Sequence, residues 1–154
     1  MNPISEELIA PCGINCAICS RYLAYRNNLR RSQCIGCRPG NKNCAYLFGK
    51  CPETGNAATN ERGFCYECKY YPCKHLNRID ARYRKNYLVS IKENLDYINQ
   101  FGIHQFIEKE YAKHCCSRCG GLISIHNRKC FTCDKVTRLV EKHNREYRGS
   151  KNIA

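Results

Sequence analysis

The chain has 154 residues, a formal net charge of +13 and 15 cysteines, but no tryptophan and only one methionine. This length allows one domain with an appendage or two small domains, and the cysteine-rich stretches contain few aliphatic residues for an ordinary core. No segment approaches the roughly 20 consecutive apolar residues of a transmembrane helix, which argues against a membrane protein of that class.

The N-terminal residues indicate the redox compartment. Met1 to Glu7 lack the basic start and apolar run of an export signal, so we expect a cytoplasmic protein. Thiols stay reduced in the cytosol, and an odd number of cysteines cannot pair completely as disulfides within one chain. We therefore interpret the clustered cysteines as metal ligands, with disulfides as the minor alternative.

The cysteine positions divide the chain into three regions. Residues 1–75 form a cysteine-rich metal-binding region, residues 76–114 a helical centre, and residues 115–154 a zinc ribbon followed by a helix. The expected fold is a small α+β protein. It combines an irregular, metal-stapled N-terminal region, a central helical hairpin, and a C-terminal zinc ribbon plus helix.

The N-terminal region offers more ligands than two four-coordinate sites need. Its candidate metal ligands are Cys12, Cys16, Cys19, Cys34, Cys37, Cys44, Cys51, Cys65, Cys68, Cys73 and His75. Three CxxC pairs stand out among them, but their spacing does not determine which pairs share an ion. Zinc is the preferred ion. The alternative is a [4Fe–4S] cluster on Cys12, Cys16 and Cys19, with a distant fourth ligand such as Cys73.

The order of these cysteine motifs resembles DUF3795, a prokaryotic cysteine-rich family of unknown function. The matching elements are the C-G-x-x-C-x-x-C opening at residues 12–19, C-x-G-C at residues 34–37, and C-x-x-C-x4-C ending in Pro-Cys at residues 65–73. The resemblance covers roughly residues 8–76, and longer family members look similar through the C-terminal ribbon. It implies metal binding by these cysteines and no particular activity.

The central region has the periodicity of amphipathic helices. From Leu76 to Gln100, apolar residues recur on one side of a single helix and basic residues on the other. We expect Gly102 to end this helix and a second short helix to run from Ile103 to Lys113. Residues 38–63 are rich in glycine, proline and asparagine and are expected to form a loop.

The C-terminal cysteines carry the most specific signal. Two CxxC pairs separated by ten residues supply a complete tetrahedral ligand set, namely Cys116, Cys119, Cys130 and Cys133. Zinc is expected there, with a rubredoxin-like iron as the chemical rival. Cys115 is interpreted as a spare thiol and His126 as a surface residue of the ribbon turn. Asp134 is expected to begin the last helix, because aspartate is a good N-cap.

The charge pattern suggests a binding protein. Zinc held by four thiolates adds a net charge of −2, so three such sites would reduce the formal charge from +13 to +7. The remaining positive charge suggests nucleic acid or an acidic protein as partner. Basic residues are expected to form stripes on the central helix (Arg78, Arg82, Lys85 and Lys92) and on the last helix (Lys135, Arg138, Lys142 and Arg145).

Enzymatic motifs are missing from the sequence. It contains neither a G-x-x-x-x-G-K-[ST] nor a G-x-G-x-x-G loop, so a nucleotide cofactor is not expected, and it contains no H-E-x-x-H motif. Closed sites of four thiolates are typical of structural zinc. The sequence thus predicts two to three or more zinc sites in a metal-stabilised binding module. The alternative is an iron–sulfur protein with a redox or electron-transfer role.

Overall fold

Helices dominate the computed structural model, which describes residues 2–29, 34–40 and 63–141. They are α1 (Ser20–Arg26), α2 (Cys37–Gly40), α3 (Lys74–Tyr87), α4 (Ile91–Phe101) and α5 (Ile103–His114), with 3-10 turns at Glu6–Leu8, Cys16–Ile18 and Cys65–Glu67. In place of a sheet, this part of the chain has isolated antiparallel bridges: Ile9 with Asn15, Cys115 with Leu122, and Ile123 with Cys130. The protein is therefore small and of mixed, mainly helical structure, in agreement with the expected class.

The central helix predicted from Leu76 to Gln100 is wrong in one respect, because it is broken at residues 88–90. Leu88 adopts a left-handed conformation with φ 59° and ends α3. Ser90 then caps α4 by accepting a hydrogen bond from the Glu93 backbone N–H at 3.2 Å. Buried Asp80 of α3 accepts hydrogen bonds from the Ser90 hydroxyl and the Lys92 backbone N–H. The turn is thus stabilised by one carboxylate that joins the two helices.

Gly102 separates α4 from α5, as the sequence predicted. Its φ of 89° and ψ of 162° form a conformation that is almost confined to glycine. The change in direction allows α5 to pack against α4. Both helices then face a core whose largest fully buried side chains include Ile9, Ile18, Leu76, Ile91, Leu95 and Phe106. Each such aliphatic side chain contributes about 1.5–3 kcal/mol on burial.

A buried polar contact links the N-terminal cysteine segment to α5. Asn15 caps the 3-10 turn that follows it and donates a side-chain hydrogen bond to Glu110 at 3.1 Å. His114 Nε2 lies 3.6 Å from the same carboxylate, and burial lowers the pKa of this histidine. Because an unpaired buried carboxylate is costly, these contacts fix the orientation of the cysteine segment relative to α5.

Candidate metal centre

Four sulfur atoms converge after α5. The ligand atoms of Cys116, Cys119, Cys130 and Cys133 all lie within 4.8 Å of one another. Sγ of Cys116 is 3.7 Å from Sγ of Cys133, and Sγ of Cys119 is 3.5 Å from Sγ of Cys130. A tetrahedral ion with metal–sulfur distances of about 2.3 Å separates its ligands by about 3.8 Å. The cluster therefore has the dimensions of a single-ion site, as the two CxxC pairs predicted.

The backbone around the first pair is shaped to support sulfur ligands. Hydrogen bonds from the backbone N–H groups of Arg118 and Cys119 lower the pKa of the Cys116 thiol to about 6. The Gly121 N–H points at Cys119 Sγ, 3.4 Å away. A β-carbon at Gly121 would lie 3.3 Å from the Cys119 sulfur and 3.4 Å from the Cys130 sulfur. Glycine at this position therefore keeps the space around the sulfurs open.

Asp134 closes the second cysteine turn. Its carboxylate accepts a hydrogen bond from the Cys130 backbone N–H at 2.8 Å and pairs with Arg118 of the first turn. These two donors, the backbone N–H first, hold the pKa of this carboxyl below its usual value. The expectation that a helix begins at Asp134 is wrong for residues 134–141, which are not helical. The aspartate caps a cysteine turn instead, and residues 142–154 lie outside the described part of the chain.

The loop between the two cysteine pairs packs on the N-terminal cysteine segment. The Ile125 backbone N–H donates to the Ile18 carbonyl at 3.2 Å, and the hydroxyls of Ser20 and Ser124 are 2.7 Å apart. His126 Nδ1 accepts a hydrogen bond from the Ser20 backbone N–H at 3.2 Å. These contacts join two cysteine-rich regions that are about one hundred residues apart in sequence.

His126 is buried, so its interpretation as a surface residue is wrong. It is 7% exposed and lies edge-on to the rings of Tyr83 and Tyr87, with centroid distances of 5.9 and 4.6 Å. The aromatic contacts outweigh the preference of an isolated turn residue for water. Burial, followed by the charge of Arg21, lowers the pKa of this imidazole to about 4. The ring is therefore neutral at physiological pH.

We expect this histidine to make the fold sensitive to acid. The unfolded chain binds a proton at His126 with a pKa of about 6.5, so its stabilising contribution is complete above that pH and is lost as the pH falls toward about 4. The shift corresponds to about 3 kcal/mol. Chemical denaturation at about pH 7.5 and pH 5 should show a smaller pH effect in His126→Gln than in the wild type. The control His104→Gln changes a side chain that is 85% exposed and should retain the wild-type pH effect.

The N-terminal ligands predicted from sequence occupy several structural positions. Cys12 and Cys16 are buried, while Cys19 begins α1 and Cys37 begins α2. Burial raises the pKa of Cys12 and of Cys19 to about 12. A hydrogen bond from the Cys37 thiol lowers the pKa of Cys16. Cys34, like Cys19, is half-buried. Cys44 and Cys51 lie outside the described residues.

The remaining predicted ligands lie at the start of α3. Cys65 begins a 3-10 turn that Cys68 ends, and Cys73 caps α3 by accepting the Leu76 N–H at 3.4 Å. His75 Nδ1 is buried and has no hydrogen-bond partner among the described residues. Within that same part of the chain, the C-terminal four are the group of ligands close enough together to share one ion. Assignment of the other predicted ligands to metals stays a prediction.

Cys115 lies beside the cluster but outside it. Its half-buried sulfur is 3.8 Å from the Ala112 carbonyl oxygen of α5. This position agrees with its interpretation as a spare thiol, and it provides a neighbouring cysteine for comparison with Cys116.

The fold and the site define a small, mainly helical protein with a four-cysteine cluster of the kind that binds metal ions. Residues 8–78 match the model of a family described as protein of unknown function (DUF3795), which confirms the resemblance carried by the N-terminal cysteine motifs. No curated protein and no solved structure matches the chain. None of the helices in the described residues combines the length and apolar character that crossing a bilayer requires.

Proposed function

We propose that this protein is a zinc-stabilised binding module whose C-terminal four-thiolate site is structural. The observation that carries the proposal is the convergence of four sulfurs within 4.8 Å, supplied by two cysteine turns with matching backbone donors. A site closed by four thiolates leaves no open position for a substrate, which is typical of structural rather than catalytic zinc. A single iron ion is the chemical rival at the same ligands.

Exposed basic residues on α3 support an anionic partner. Lys74, Arg78, Arg82 and Lys85 are all exposed and follow helical spacing along one face, opposite the buried Leu76, Ile79 and Tyr83. Tyr70, which is 49% exposed, precedes this face and offers an aromatic ring for base stacking. Phosphate contacts from the basic residues combined with stacking favour a single-stranded nucleic acid as partner.

Two details of the predicted surface differ in the structure. Lys92 lies against α3, with Nζ 2.9 Å from Asn77 Oδ1 and 4.0 Å from Asp80 Oδ2, where it compensates the buried carboxylate. Tyr83 is buried and Tyr87 packs on His126, so neither ring is available for stacking in the way its sequence position suggested. Of the second stripe, Lys135 and Arg138 are exposed, whereas Lys142 and Arg145 lie outside the described residues.

The proposal predicts zinc and salt-dependent nucleic-acid binding. Protein purified without oxygen should be colourless and contain zinc, whereas iron with a visible absorption band would contradict the assignment of the metal. Fluorescence anisotropy with mixed-sequence single-stranded RNA and DNA should show binding at low salt. Binding should weaken steeply as salt increases, by about 0.7 logarithmic units per phosphate contact for each tenfold increase in salt.

A charge-matched pair of variants locates the surface. Arg82→Glu/Lys85→Glu should weaken binding at least about tenfold and reduce the salt slope. Lys113→Glu/Lys129→Glu produces the same change in net charge at exposed positions of other elements and should have a smaller effect. Equal losses in both variants would indicate attraction by net charge alone. Absence of binding even at low salt would remove nucleic acid as the partner and leave an acidic protein to be tested.

A further inference from the structure

Three distant parts of the chain meet at the N-terminal cysteine segment. The Cys37 backbone N–H donates to Cys16 Sγ at 3.4 Å, across 21 residues of sequence. The Cys65 backbone N–H donates to the Pro11 carbonyl oxygen at 2.8 Å, which places Cys65 beside the segment that contains Cys12. The convergence therefore joins one cysteine of each N-terminal CxxC pair to the segment that begins at Cys12.

An arginine is held among these cysteines. Arg38 donates from Nε to the Ile9 carbonyl oxygen at 2.6 Å and from Nη2 to the Gly63 carbonyl oxygen at 2.7 Å. Its guanidinium carbon also lies 4.8 Å from the centre of the Phe64 ring. These contacts orient the group, and its positive charge acts on the sulfurs of Cys12, Cys16 and Cys65.

The combination of burial and charge favours sulfur in the thiolate form. Cys12 and Cys16 are each 2% exposed, and ionised groups at such positions are stable only when opposite charge is close by. Neutral thiols would gain little from a nearby guanidinium, whereas four thiolates around a divalent ion carry a net charge of −2. Arg38 would offset half of that charge. Its backbone contacts keep it in place without using its charge on a distant partner.

We propose that Cys12, Cys16, Cys37 and Cys65 form a second four-thiolate zinc site, with Arg38 as its counter-cation. The site takes one cysteine from each of the three CxxC pairs, in contrast to the C-terminal site, which takes both cysteines from each of its pairs. It does not depend on the identity of the C-terminal metal or on nucleic-acid binding.

Serine variants of the full chain, purified without oxygen, test this ligand set by native mass spectrometry. Cys37→Ser and Cys65→Ser should each contain one zinc ion fewer than the wild type, while a further loss should appear when Cys116→Ser is added. The matched controls Cys34→Ser and Cys68→Ser alter the other cysteine of the same two pairs and should retain the wild-type zinc content. Equal loss from the controls, or full zinc content in Cys37→Ser and Cys65→Ser, would overturn the proposed ligands.

Two further measurements separate metal binding from folding. In the wild type, alkylation mapped by mass spectrometry should leave the four proposed ligands unmodified until a chelator is added, when all four should react together. Continued protection after complete removal of zinc would show that packing alone shields these thiols, which counts against the site. Arg38→Gln should release zinc to a chelator several-fold faster than Arg38→Lys, which keeps the charge. Identical release rates would exclude the role of counter-cation.

Discussion

Replacing Cys116 by serine should remove the C-terminal zinc ion and unfold the two cysteine turns, whereas the same change at the neighbouring Cys115 should leave both intact. Cys116 is 4% exposed and its sulfur belongs to the four-sulfur cluster, while the Cys115 sulfur faces the Ala112 carbonyl. Structural zinc contributes about 10–16 kcal/mol to the folding of small zinc peptides. Loss of one ligand should therefore cost several kcal/mol, against less than about 0.5 kcal/mol for Cys115→Ser.

Metal analysis and thermal unfolding with and without chelator measure this difference. Chelator should lower the melting temperature of the wild type and of Cys115→Ser, but have a much smaller effect on Cys116→Ser. Because the loop at Ser124 and His126 contacts Ser20, we also expect faster amide exchange around α1 in Cys116→Ser. A Cys116→Ser protein with wild-type zinc content and stability would show that the cluster does not hold the ion.

Gly13→Ala should be among the most destabilising single changes in the N-terminal segment. Gly13 has φ +88°, and a β-carbon there would lie 2.6 Å from the Ile91 carbonyl oxygen and 2.9 Å from Leu95 Cγ. The backbone strain costs about 1–3 kcal/mol, and the overlap with the N-terminal turn of α4 adds about 1–3 kcal/mol. The expected loss in free energy of unfolding is therefore about 2–6 kcal/mol.

Gly102→Ala is the matched control for this change. Its φ of +89° is almost the same, but a β-carbon there would meet no atom within 4 Å. Urea denaturation should show a loss of about 1–3 kcal/mol for Gly102→Ala, caused by backbone strain alone. The difference between the two variants measures the close approach of the cysteine segment to α4. Equal losses would mean that the two segments do not approach each other this closely in solution.

Local sequence patterns were sufficient where each element is determined by neighbouring residues. Two CxxC pairs ten residues apart predicted the C-terminal cluster, because both turns and their backbone donors are local. Helical periodicity identified α5 and the apolar faces of α3 and α4. The break at residues 88–90 was missed, although Ser90 and Glu93 form the S-x-x-E pattern of a helix start.

Several features depend on contacts between residues far apart in sequence. The burial of His126 requires the tyrosines of α3, and Asp134 became a cap because the Cys130 N–H was within reach. Neither partner is visible to a pattern that considers only adjacent residues. The positions of Cys37 and Cys65 beside the first cysteine segment likewise result from closure of long loops, which spacing does not specify.

The sequence by itself determined that thiolate-rich turns flank a helical centre and that the C-terminal turns suit one ion. Only the tertiary structure decided which N-terminal cysteines approach one another and where Arg38 directs its charge. The physical reason is that a CxxC turn brings its sulfurs together through local backbone geometry. Sulfurs from different turns meet only when the core around Ile18, Leu76 and Leu95 has packed.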